Sequence, residues 1–111
     1  MRFETKRDVA DALRGYLHKR ARLQRLDRCR AAGDDDPDPE LREEVREVET
    51  ALSSLYEEEK YIVWMRYVKD CRYPTIQAGF ATRYGRPISE SRLKYRASVA
   101  LEKMAEVLGV S

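Results

Sequence analysis

Histidine is nearly missing from this chain of 111 residues: His18 stands alone, and Cys29 and Cys71 are the only thiols. One histidine and two isolated cysteines, with no CxxC pair, leave no set that could hold zinc. Two lone thiols are expected to be reduced, unpaired and half-buried as packing residues. No apolar run approaches the roughly 20 residues that span a bilayer. The N-terminus, Met1 to Lys6, is basic but lacks the apolar stretch of a secretion signal, so a cytoplasmic address is expected. A Gly-rich phosphate loop, a serine elbow and a Cys–His couple are all missing. The carboxylates cluster in Asp34-Asp35-Asp36 and in a run of helix-starting glutamates, without a convergent acid–base pair. No enzyme, no cofactor, no metal and no small-molecule substrate is expected. Proline and glycine are also sparse, at four and five residues, which leaves room for long helices.

Charge is what the chain has in abundance. Charged residues make up 38% of it and apolar ones 42%, which suits one small helical domain or a domain with an appendage. The net charge of +2 conceals segregation: residues 1–33 carry +6, residues 34–60 carry −9 and residues 61–111 carry +5. A modest overall charge therefore does not exclude a nucleic-acid partner, because the potential that meets phosphate is local.

Five helices and no strand can be read from the pattern. Thr5 and Asp8 can cap a first helix over residues 6–31, with Val9, Leu13, Tyr16, Leu17, Leu23 and Leu26 facing inward. Gly33 and the acidic stretch to Pro37 end it. Asp38 and Pro39 then open a second helix, striped by Leu41, Val45, Val48, Leu52 and Leu55. That a/d stripe fits either an antiparallel hairpin with the first helix or a homodimer seam. Ser54 to Glu57 reads as the cap of a third helix, roughly 55–69, with Tyr61, Trp64, Met65 and Val68 on one face. Trp64 is expected in the core in preference to stacking on bases. Pro74 or Thr75 opens a short helix with Ile76, Phe80 and Tyr84, stopped by Gly85. Ser89 caps the last, whose apolar face is Leu93, Ala97, Ala100, Leu101, Met104 and Leu108.

The last two helices, joined by Gly85 to Ser89, have the layout with which a helix-turn-helix enters a DNA major groove. At about 100° per residue, the side of the final helix opposite its core face carries Ser91, Arg92, Tyr95, Ser98 and Val99. Ser91, Arg92 and Tyr95 are the candidate base readers. Arg83, Arg86, Lys94 and Arg96 are the candidate phosphate contacts. The basic face of the first helix, including Arg20, Arg22, Arg25, Arg28 and Arg30, is a rival surface. Pairing with the acidic residues 34–49 is the reading preferred for it, each exposed pair adding only about 0.2–1 kcal/mol.

Four stretches carry a family resemblance: Glu58-Glu59-Lys60-Tyr61-Ile62-Val63-Trp64-Met65-Arg66-Tyr67, Tyr73-Pro74-Thr75-Ile76, Ile88-Ser89-Glu90-Ser91-Arg92-Leu93, and Ala100-Leu101-Glu102-Lys103-Met104-Ala105-Glu106-Val107-Leu108. Residues 55–104 resemble region four of bacterial sigma factors and, more closely, phage late-gene transcriptional regulators of the RinA/ArpU type. The resemblance implies an all-α fold and a helix-turn-helix region (55–111), ahead of which the helical pattern places an N-terminal hairpin (1–54). It also implies sequence-specific duplex DNA binding that regulates transcription of phage or prophage genes in the host cytoplasm. Two departures stand out. Arg86-Pro87 reads as a two-residue insertion that would tilt the recognition helix, and Gly79 should weaken the helix before it by about 1 kcal/mol. The alternatives are a protein-interaction module that binds RNA polymerase or another regulator, and a DNA-packaging protein like a small terminase subunit.

Overall fold

The computed structural model describes residues 3–29, 33 and 35–109. Among the described residues six α-helices follow one another: α1 (Lys6–Arg14), α2 (Tyr16–Cys29), α3 (Pro39–Ser53), α4 (Glu57–Val63), α5 (Tyr73–Tyr84) and α6 (Glu90–Val107). A π-helical turn, Trp64–Val68, extends α4. No strand occurs among the described residues, and the protein is all-α. No helix among them is long and apolar enough to cross a membrane.

The sixth helix arises because the first expected helix is two. Gly15, at φ −90° and ψ −1°, interrupts it between Arg14 and Tyr16, as a residue of weak helix propensity allows. The break has a packing consequence. α1 lies against α6 and the π-helical turn, while α2 lies against α3. Leu17, expected to face inward, falls just past the break and is exposed. The end of the expected helix, from residue 30, lies outside the described residues, as does Asp34.

The caps follow side-chain chemistry. Thr5 Oγ accepts from the Asp8 N–H at 3.3 Å, and the Asp8 carboxylate accepts from the Thr5 N–H at 3.0 Å. Asp38 accepts from Leu41 N–H at 3.1 Å, with Pro39 opening α3. The start of α4 differs from expectation. Ser54 ends α3, its hydroxyl donating to Ala51 C=O at 2.6 Å. Tyr56 is the residue that precedes α4, and its N–H donates to Glu59 at 3.2 Å.

Two apolar clusters hold the chain together. The larger joins α1, α2, α3 and the C-terminal half of α6, including Leu13, Val48, Leu52, Leu101 and Met104. The smaller joins Ile62, Ile76, Phe80, Leu93 and Ala97 from α4, α5 and the N-terminal half of α6. All five residues of the α3 stripe are buried within the chain, so the hairpin arrangement is the one adopted and the stripe offers no seam to a second copy. α6 runs through both clusters.

α4 and its π-helical extension sit between the two clusters, which corrects the single-face reading. Val63, Trp64 and Val68 pack into the larger cluster, and Ile62 and Met65 into the smaller. Ile62 and Val63 are wholly buried, whereas Tyr61, Trp64 and Met65 are half-buried. Trp64 meets Tyr16 edge-on with ring centroids 5.7 Å apart, in keeping with a core role. The π turn closes with Lys69 N–H donating to Trp64 C=O at 2.9 Å, five residues back. Neither cysteine is in a disulfide. Cys71 packs on the smaller cluster as expected, but Cys29 is exposed.

Candidate nucleic-acid interface

The placement of α6 follows from its two burdens. Its C-terminal half is enclosed by α1 and α3, with Lys6 reaching Ser98 at 3.3 Å and Glu102 at 3.1 Å. Its N-terminal half rests only on α4 and α5, through Leu93 and Ala97. The first two turns therefore keep a side open to solvent. Ser91, Arg92, Lys94 and Tyr95 are all exposed, and Tyr95 is 66% exposed despite its large ring. The N-terminal hairpin does not wall them in. Ser98 and Val99, assigned to the same side by helical spacing, are half-buried, and Lys6 of α1 reaches the Ser98 hydroxyl.

The segment between α5 and α6 is tied at several points. Gly85 takes a left-handed conformation, φ +70°, and its N–H donates to Ala81 C=O at 2.9 Å, a backbone state that L side chains enter at a cost of about 1–2 kcal/mol. Gln77 on α5 donates to Ile88 C=O at 2.9 Å, and the Ile88 side chain packs on the smaller cluster. Ser89 Oγ accepts from Arg92 N–H at 3.2 Å and starts α6. Arg86-Pro87 is thus accommodated in a turn whose exit is pinned to α5. Arg86 lies over the Phe80 ring, 5.2 Å from its centroid.

The charged groups around this turn are not independent. Glu58 on α4 accepts from both Arg86 and Arg96, the latter at 2.9 Å. The guanidinium of Arg96, then that of Arg86, holds the Glu58 carboxyl below its usual range. Arg83 donates to Glu57 at 3.3 Å, which raises its already high basicity. Lys94 lies 4.0 Å from Glu90 one turn away and 5.3 Å from the Tyr73 ring centroid. Three of the four candidate phosphate contacts are therefore engaged by carboxylates of α4. They remain at the surface, with 55%, 53% and 26% of the Arg83, Arg86 and Arg96 side chains exposed. Arg92 forms no ion pair among the described residues. It borders a cavity of about 290 Å³, together with Arg86, Arg96 and Ser89.

No family model matches the chain, and comparison with curated proteins and with solved structures finds no match.

The rival basic surface is turned to internal use only in part. Lys19 meets Glu44 at 2.7 Å, Arg22 meets Asp38 at 3.8 Å, and Arg42 of α3 pairs in the reverse sense with Asp27 and also with Asp36 of its own acidic segment. Among the described residues, Arg20, Arg25 and Arg28 form no ion pair; Arg30 lies outside them. Residues that helical spacing alone did not mark also shape the site. Glu57 and Glu58 read as helix-dipole charges but reach across to α5 and α6. Tyr73 lies between Arg66, 4.4 Å from its ring centroid, and Lys94. The run of three glutamates facing a segment rich in arginine was the available signal for the first pair.

Proposed function

We propose that this protein binds duplex DNA sequence-specifically through the first two turns of α6, as a transcription regulator of phage or prophage genes. The observation that carries the reading is that Ser91, Lys94 and Tyr95 stand exposed at the start of a helix fixed to α5 by a pinned turn. In that helix-turn-helix docking, α6 enters the major groove and α5 lies across its edge. Serine and tyrosine hydroxyls bond base edges or phosphates, and lysine neutralises phosphate without reading sequence.

The protein-interaction alternative draws less support, because the α3 stripe that would pair with a partner helix is covered by the chain itself. A selection of random duplexes against the purified protein is the test. It should yield one preferred sequence, bound with a steep salt dependence. Tyr95→Ala should then reduce preference for the selected duplex over a scrambled one, while Lys94→Ala weakens both by a common factor. If both variants bind as the wild type does, α6 is not the docking helix.

A further inference from the structure

The three arginines Arg86, Arg92 and Arg96 border one cavity of about 290 Å³ between the turn and α6, together with Ser89. Like charges brought to one cavity repel, and among the described residues a single carboxylate, Glu58, pairs with them. It accepts from Arg86 and Arg96, and it is not among the residues that line the cavity. Three guanidiniums and one carboxylate leave a surplus of two positive charges. Each guanidinium has five N–H donors, so those not used on Glu58 stay available to an anion.

The two paired side chains are also held in place. Arg86 is fixed between Glu58 and the face of Phe80, and Arg96 is anchored to Glu58 in the second turn of α6. Arginine arranged as a fixed fork binds phosphate oxygens bidentately, and prior fixing reduces the freedom lost on binding.

The geometry points to this cavity as a seat for one backbone phosphodiester of the bound nucleic acid, with Arg92 as its third arm and Glu58 as the positioning residue behind it. Arg92 then serves the phosphate, in place of the base-reading role suggested by helical spacing. The seat rests on the DNA-binding reading and deepens it. Tyr95 and Ser91 keep the outward face, while Arg92 shares the cavity lining with Arg96, one helical turn on.

The test compares wild type and Arg92→Ala on a selected duplex and on a scrambled duplex of equal length, across a salt series. Arg92 is exposed and makes no ion pair among the described residues, so the variant should fold, which thermal melting checks. Loss of one phosphate contact should flatten the slope of log K against log salt by about 0.9 for both duplexes, and weaken both by the same factor. An unchanged slope, or a loss confined to the selected duplex, overturns the seat and leaves DNA binding standing. No salt-dependent retention of the wild type on either duplex removes the DNA reading and the seat with it.

Discussion

Replacing Gly79 by alanine should destabilise this protein although it sits in the middle of a helix. By propensity alone the change is worth about 1 kcal/mol in favour of the folded chain. A methyl group at that position, however, would lie 2.1 Å from the Tyr61 hydroxyl oxygen, where ordinary contact begins near 3.4 Å. The Tyr61 ring must therefore retreat by about 1.3 Å, the difference between those distances. It now meets Tyr84 edge-on, with centroids 5.8 Å apart, and has Arg83 5.4 Å from its own centroid. Disturbing an aromatic pair costs about 0.5–1.5 kcal/mol, and an exposed cation–π contact about 0.5–1 kcal/mol. Adding the strain of overpacking, about 1–3 kcal/mol where a core cannot relax, the net effect is a loss of about 1–4.5 kcal/mol. Tyr61→Phe removes the offending oxygen, and the nearest remaining atom is the ring carbon at 3.5 Å, an ordinary contact. In that background Gly79→Ala should stabilise by about 1 kcal/mol, giving a coupling of at least about 2 kcal/mol in a double-mutant cycle. Urea denaturation of the four proteins measures it. Stabilisation by alanine in both backgrounds, to the same extent, would refute the packing account of this glycine.

Two further predictions concern charge. Glu59 is buried, 5% exposed, and accepts from Lys103 with both oxygens at 2.9 Å, whereas 39% of the Lys103 side chain is exposed. Lys103→Met should therefore cost more than Glu59→Gln in denaturant midpoint, each about 1–3 kcal/mol, because water can solvate the abandoned ammonium but not the abandoned carboxylate; equal losses would contradict this. In acid, the Glu4 and Thr5 N–H groups hold the Asp8 carboxyl below its ordinary 3.8, and Arg96 and Arg86 hold Glu58 below 4.5. Both contribute stability that is full above those ordinary values and is lost as pH falls through the lowered ones. The melting temperature of Asp8→Asn should accordingly fall less steeply than that of wild type between about pH 5 and pH 2, and parallel curves would show that Asp8 contributes nothing.

The candidate site was only half legible. Ser89, Gly85 and the Leu93–Ala97 side of α6 could be placed because caps, left-handed stops and helical periodicity are local. Exposure of Ser91 and Tyr95 follows from that periodicity. The half-burial of Ser98 and the setting of Arg92 do not, since both depend on what α1 and the turn bring alongside. The same holds for Glu58. Its neighbours in sequence suggest a helix-start charge, while its partners lie 28 and 38 residues away.

Local chemistry in the residues themselves determined that the protein is helical, where most helices start and stop, and which stripe of α3 and of α6 is apolar. Those properties depend on groups within one or two turns of each other. Only the tertiary arrangement decided the wedging of α4 between two clusters, the need for glycine at position 79 and the meeting of three arginines at one cavity. Each of these is set by contacts between helices distant along the chain, and periodicity within a single helix carries no record of what will be packed beside it.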